Sequence, residues 1–367
     1  MSDFLWLLPS VTTSVVDDHL VLLKEDARLS FSPEGETLYR TLLLLDGDHT
    51  EEEVREHQGG PEILDAVGGE KWIVRMSRRI SDTVDGRPEI SRQLAYLAHL
   101  QPRHPDQALE EVSAARVAVV GMGGVGSHVV QALAGAGVGR FLLMDSDVVE
   151  RSNLNRQFFY RRRDVGRSKV EAAAQYVRDR HPRVRIDTRS QALSGPEQAE
   201  VFAECSLIVF AGDGWTLVNG APAAAGVRPV LMGGYIGATG VVGPMCDPSR
   251  GSACWKCRAR AEAELFPILT GRRERPHGWN ASSAPLNGVV GNLLAEAALR
   301  ALAPSLGKPL LLEERLLVDL SQMRLRRVSV ERVECPHVSQ DASEVPPRIR
   351  SGRCSIRAGA RHRFSRA

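Results

Sequence analysis

The stretch Val117–Val130, "VAVVGMGGVGSHVV", decides the fold. An apolar run enters a glycine-rich turn, and a helix start made of small residues comes next. Gly121, Gly123, Gly124 and Gly126 remove side chains where a strand hands over to a helix. The backbone can then approach a phosphate, and the free N–H groups of the helix N-terminus point at it. The next apolar strand, "RFLLMD", ends in Asp145. An acid about twenty residues after such a turn holds ribose hydroxyls.

Length and composition set the frame. At 367 residues the chain has room for two domains, and 43% hydrophobic residues suffice for a sizeable core. A formal net charge of +2 gives the whole chain no character of a nucleic-acid binder. Six cysteines in this length do not make a disulfide scaffold. No signal peptide opens "MSDFLWLLP" and no run of 18 apolar residues occurs, so a cytoplasmic location with no membrane partner is expected.

The chain divides by texture. Residues 1–80 read as a small α+β unit: "SVVDDHLVLLK" and "ARLSFS" as strands, "PEGETLYRTLLLL" as a helix. "DGDHTEEEVREHQ" reads as a turn, then a threonine cap, and "PEILDAVGGEKWIV" as helix and strand. This order resembles a winged-helix fold. "SRRISDTVDGRPE" reads as a polar linker. From Glu89, "ISRQLAYLAHL" is a helix and "QPRHPDQ" a loop. Strands and helices then alternate, which predicts a Rossmann-like α/β domain over 89–340 with a mostly parallel sheet. "VVGPMCD" and "ERLLVDLSQMRLRRVSVER" read as antiparallel additions, and "PLNGVVGNLLAEAALRALA" as an apolar helix. Residues 341–367 are rich in arginine and poor in apolar residues, which predicts a disordered basic tail.

The segment after Asp145 does not suit hydride transfer. "DSDVVERSNLNRQ" places Asn153 and Arg156 just past the ribose acid, and Lys169 comes later in "VGRSK". Cations there suit a triphosphate under attack at its α-phosphorus, where they stabilise the growing charge on the leaving pyrophosphate. Asp213 in "LIVFAGDGW" lies just past a later strand, at the edge where ligands bind in open α/β sheets. A carboxylate there would hold Mg²⁺ across the phosphates.

These segments, "GMGGVGS", "DSDVVERSNLNRQ", "DVGRSK" and "AGDG", resemble the ATP-binding motifs of the ThiF/MoeB family of ubiquitin-activating-type adenylating enzymes. The resemblance spans about Glu89 to Gln340. It implies that a carboxylate attacks ATP to give an acyl adenylate and pyrophosphate. It also implies that Gly123 and Gly124 line the phosphates, Asp145 binds ribose, Asn153, Arg156 and Lys169 bind phosphate, and Asp213 binds Mg²⁺. The helix "ISRQLAYL" is similar to the family segment whose arginine enters the partner subunit's ATP site. That maps onto Arg92 and implies a homodimer.

Cys254 and Cys257 in "CWKC" fit two ligands of a tetrahedral zinc site. The family closes that site with a second C-x-x-C. Here the segment is "ECPHV": Cys335 is present, Val338 stands where the second cysteine belongs, and the fourth ligand is His337, Cys354 or absent. Cys205 and Cys246 flank strands and read as packing residues.

The layout is closest to microcin C-type peptide-adenylating enzymes, with which "GGYIGATGVVGPMCDPSRGSACWKCR" and "APLNGVVGNLLAEAALRALA" share a likeness. That likeness implies a leader-peptide recognition unit in front, which docks an extended ribosomal precursor as an added strand. "LVLLK" is the candidate edge, and "GRRERPHGWNASS", with Trp279, is similar to the loop that covers bound peptide. Two other readings stand beside this one: a sulfur-carrier adenylyltransferase and a non-catalytic leader-binding adaptor. The chemistry after adenylation is not legible in the residues.

Overall fold

The structure, a computed structural model, describes residues 2–25, 27–69, 72–193, 196–211, 228–265 and 282–338. Its N-terminal unit opens with β1 (Phe4–Leu7), β2 (Thr12–Val16), β3 (His19–Lys24) and β4 (Ala27–Phe31). Then come α1 (Gly35–Leu42), β5 (Asp46–Thr50), α2 (Glu51–Arg55), α3 (Gly60–Val67) and β6 (Ile73–Met76). Two three-stranded antiparallel sheets result, ordered β5-β1-β6 and β2-β3-β4. Thr50 caps α2 as its sequence suggests, closing a reciprocal capping box with Glu53. Leu5, Leu20, Leu22, Leu38, Ile63 and Ile73 belong to the core between the sheets and helices.

Two expectations fail here. "LVLLK" lies in β3, which pairs with β2 on one side and β4 on the other. Both hairpin turns are so short that the middle segment must take the central position, so among the described residues the edges of this sheet are β2 and β4. The segment expected as a linker is folded instead. Residues Ile80–Val84 form α4, and Ile80 and Val84 pack on the core of the following domain. Leu8, Val74 and Met76 are buried in that same core.

After α5 (Ser91–Leu100) the expected loop "QPRHPDQ" is irregular over 101–104, and its last three residues open α6 (Pro105–Ala114). Proline pre-sets the backbone of a first helical turn, so "HPDQ" starts the helix rather than ending one. Asp106 in that turn is 1% exposed. Its carboxylate accepts from the backbone N–H of Ser77 and of Arg78, at 3.1 Å each, tying the N-terminal unit to the domain behind it.

The second domain continues with β7 (Arg116–Val120), α7 (Gly124–Gly135), β8 (Arg140–Met144), α8 (Lys169–Arg180) and β9 (Arg185–Arg189). Next are β10 (Leu207–Phe210), β11 (Val230–Ile236), β12 (Thr239–Cys246), α9 (Trp255–Leu265), α10 (Ala284–Leu302), β13 (Glu314–Asp319) and β14 (Arg324–Ser329). One eight-stranded sheet runs β14-β13-β12-β11-β10-β7-β8-β9. It is parallel from β11 to β9 and antiparallel beyond, so the α/β expectation holds. Helix α8 buries Val170, Ala173, Ala174 and Val177, which recur at helical spacing on one face. On one side of the sheet α7, α8 and α10 bury the larger core. On the other, Trp255 and Ala259 of α9 pack against Phe210, Val230 and Cys246. The chain leaves β7 toward β8 and later returns to β10 on β7's other side. Ligands in such sheets bind outside the carboxyl ends of the strands that part at this point.

Candidate active site

The glycine turn sits at that parting of strands. Gly121 has φ +97°, a conformation that side chains rarely adopt. A Cβ on Gly126 would lie on the carbonyl oxygen of Gly121, so this close approach admits no larger residue. At Gly123, by contrast, the space a Cβ would fill is open, with the Gln157 amide nitrogen nearest at 3.9 Å. The result is a cradle at the N-terminus of the twelve-residue helix α7. Its free N–H groups and dipole favour a phosphate there.

Both sides of Met122 are fixed. Its N–H donates to Asp145 Oδ2 at 2.6 Å, and its carbonyl accepts from the buried Tyr160 hydroxyl at 2.7 Å. Asp145 Oδ1 accepts from the N–H of Asp147 at 2.8 Å. Burial pushes the Asp145 carboxyl above its ordinary value, and the Lys169 ammonium pulls the other way. Burial, reinforced by the charges of Asp145 and Asp147, also raises the Tyr160 hydroxyl, which stays protonated.

Lys169 is 6% exposed at the first turn of α8. Its Nζ lies 2.7 Å from Asp147 Oδ2. Asn153 is buried and spends its Oδ1 on the N–H of Glu150 at 3.0 Å, which holds the loop after β8. Arg156 donates to Ser152 O and to Asn155 Oδ1, both at 2.8 Å, which keeps its head on this loop. Asp145, Asn153, Arg156 and Lys169 thus belong to one connected loop and turn system. Ala211 continues β10 and touches the place of a Gly126 Cβ, so the strand that leads to Asp213 ends beside the turn. Asp213 itself, Trp279 with its loop, and Cys354 lie outside the described residues. Arg92 is exposed on α5 and forms no ion pair among the described residues.

Two polar residues here escaped the sequence reading. Gln157 is 3% exposed and Asn287 fully buried, and each leaves its amide oxygen without a partner. Asn287 packs on Gly124 and donates to Ser282 Oγ at 3.0 Å. Ser282 also accepts from the Tyr235 hydroxyl at 2.8 Å. Gln157 ends "SNLNRQ" directly after Arg156, and this adjacency was the one available signal.

A second cluster lies at the start of α9. Ligand atoms of Cys254, Cys257, Cys335 and His337 all fall within 4.8 Å of one another. His337 Nδ1 is 3.5 Å from Cys254 Sγ, 3.6 Å from Cys335 Sγ and 3.9 Å from Cys257 Sγ. Tetrahedral zinc with sulfur at ~2.3 Å and nitrogen at ~2.0 Å sets its ligands about 3.5–3.8 Å apart. Three thiols and one imidazole are the donor set such an ion takes, and the imidazole–thiol separations lie close to this range. Of the alternatives left open for the fourth ligand, His337 is found at the cluster among the described residues. Cys205 and Cys246 are buried in the core, as expected of packing residues.

Residues 91–337 match the model of the ThiF family. The chain belongs to the ThiF family. It is 33% identical over 248 residues to a sulfur carrier protein adenylyltransferase of Thermus thermophilus, covering 64% of this chain and 86% of that protein. It is 31% identical over 226 residues to the molybdopterin-synthase adenylyltransferase of Escherichia coli, covering 59% and 86%. Among solved structures, E. coli MccB with ATP superposes with a TM-score of 0.66 at 18% identity, over 91% of this chain and 98% of that one. The same microcin C7 biosynthetic enzyme has been solved in complex with N-formylated MccA. The family and its named relatives make this chain an ATP-dependent adenylyltransferase. Among the described residues no helix is long and apolar enough to cross a membrane.

Proposed function

We propose that this enzyme adenylates a carboxylate of a ribosomally made precursor peptide, and that residues 1–80 hold the leader of that peptide. The observation that carries this reading is the extent of the shared fold. The family match starts at residue 91, whereas the likeness to MccB covers 91% of the chain. A match of that extent has to include most of the first 90 residues. That unit offers β2 and β4 as free strand edges, onto which an extended peptide can add by main-chain hydrogen bonds.

In this reading a carboxylate oxygen attacks the α-phosphorus of ATP. The new O–P bond forms as the bond from that phosphorus to the β-phosphate bridge breaks. The products are an acyl adenylate and pyrophosphate. The backbone at Gly121, Gly123, Gly124 and Gly126 receives the phosphates, and Asp145 the ribose. Asn153, Arg156 and Lys169 neutralise charge that grows on the phosphate oxygens. Asp213 holds Mg²⁺, which supplies further neutralisation when bound. Arg92 completes the site of a second copy in a homodimer. Cys254, Cys257, Cys335 and His337 hold a zinc ion that fastens the segment after β14 to α9.

Sequence identity favours a second reading, because the 33% identical relative is named for a sulfur carrier protein. A non-catalytic adaptor has less support, since Asp145, Arg156 and Lys169 are all retained. The test compares full-length precursor with its core peptide lacking the leader in ATP–pyrophosphate exchange. Leader docking raises kcat/KM for the full-length peptide. Equal use of both peptides removes the clamp from the account.

A further inference from the structure

The formal net charge of +2 hides an asymmetry. Residues 1–80 carry sixteen acidic side chains against eight basic ones, so this unit stands at −8 and the rest of the chain at +10. Most of its basic groups are already engaged. Arg40 pairs with Glu36, Arg55 and Arg75 share Glu51, and Arg78 reaches Glu110 of the second domain. Arg79 lies over the Phe4 ring. The acids are not matched in the same way. Asp17, Asp18 and Glu34 are exposed and form no ion pair among the described residues. They gather at one end of the sheet β2-β3-β4, where the Glu34 N–H donates to Asp18 Oδ2 at 3.2 Å and the Gly35 N–H to Asp18 O at 3.0 Å. Both edge strands end at this rim. Strand β2 stops at Val16, directly before Asp17, and β4 stops at Phe31, opposite Leu20 and three residues before Glu34. Along the edges themselves charge is scarce: "TTSVV" has none, and "ARLSF" has Arg28 alone.

We infer that the leader is a cationic peptide, an inference that rests on residues 1–80 holding the leader. An uncharged extended stretch of it adds to a strand edge, and Lys or Arg side chains at one end of that stretch meet Asp17, Asp18 and Glu34. Main-chain hydrogen bonds along an edge accept almost any sequence, so they hold a peptide without selecting it. Charge at the rim supplies the selection: it draws in a basic peptide and turns an acidic one away. It also sets register, because a strand that slips along the edge carries its cations off the rim.

The probe is a displayed library of random peptides about a dozen residues long, selected on the full chain. Recovered peptides are then titrated, by fluorescence anisotropy, against wild type and an Asp17→Asn/Glu34→Gln double variant. Asp17 has φ 49°, which asparagine tolerates, and neither carboxylate has an ion-pair partner to lose, so the variant should melt with wild type. The recovered peptides should carry a surplus of Lys and Arg gathered toward one end. An exposed ion pair is worth a factor of about 1.5 to 5, so the double variant should bind them about 2- to 25-fold more weakly. Wild type should lose affinity for them as salt rises from about 0.05 M to about 0.5 M. If the variant melts below wild type, that salt dependence decides alone. An empty selection, or one without a basic surplus, overturns the inference. Basic peptides that wild type and a fully folded variant bind alike overturn it too. Failure of the leader-binding reading itself is seen elsewhere, in equal use of full-length precursor and core peptide in exchange, which does not depend on the leader's charge.

Discussion

Replacing Cys335 with serine should cost the protein a metal ion and a measurable part of its stability. The segment that carries Cys335 and His337 comes after the outermost strand, β14, all of whose residues are exposed. Away from the cluster it is anchored by Val330 N–H to Glu313 O at 2.9 Å, by an exposed Arg332–Glu313 pair and by Arg258 to Glu331 O. The cluster joins it to Cys254, which lies 81 residues away in sequence and is fully buried. A ligand present at a thousandfold excess over its Kd stabilises the state that binds it by about 4 kcal/mol. For a domain of some 250 residues each kcal/mol is worth about 2 °C in Tm, so metal loss should lower Tm by about 8 °C. The assay is metal analysis of the purified protein, followed by thermal melts with and without chelator. One zinc per chain is expected in wild type and none in Cys335→Ser, with chelator lowering the melt of wild type only. Because the thiols must lose protons to bind, zinc should be held less tightly as pH falls. Wild type that is purified without metal and melts identically in chelator would refute the site. In that case the missing cysteine at Val338 marks a decayed cluster.

The geometry sets three further outcomes. Lys169→Met should reduce ATP–pyrophosphate exchange by about 10²- to 10³-fold, the range for losing one group that stabilises transition-state charge. Its Tm should shift little, because the partner Asp147 is mostly exposed and returns to water; unchanged exchange would remove Lys169 from the site. Asp106→Ala should strip the acceptor from the Ser77 and Arg78 N–H groups and destabilise the protein by about 3 kcal/mol. A melt that does not move would show that the N-terminal unit is not tied down there. A mixed dimer with Arg92→Ala on one chain and Lys169→Ala on the other should recover about half of wild-type activity, since one composite site stays intact. No recovery would place Arg92 outside the partner's site.

Local signals were legible where a single segment carries both the cause and the effect. The glycine turn and the Thr50 cap are of this kind. Relations between distant segments were not. The strand β1 is central in its sheet because Phe4–Leu7 pairs with β5 and β6, which lie some 40 and 70 residues further on. Nothing in "FLWL" specifies those partners. The edge assigned to β3 failed for a different, local reason: its two short hairpin connections place it between β2 and β4. Lys169 was legible as a cation placed after the acid that ends β8 but not as the partner of Asp147. Tyr160 and Gln157 were not singled out in the sequence, and only the packed structure shows that one clamps Met122 and the other borders the cradle. His337 was one of three options until the fold placed it within 4 Å of all three thiols.

The most direct test of the central claim is ATP–pyrophosphate exchange with two alternative carboxylates. One is a ribosomal precursor peptide with its leader and a free carboxylate, and the other is a sulfur-carrier protein that ends in Gly-Gly. Peptide adenylation predicts exchange that depends on the precursor, with an acyl adenylate detectable by mass spectrometry and no exchange on the sulfur carrier. Exchange driven by the sulfur carrier and not by the precursor would contradict it.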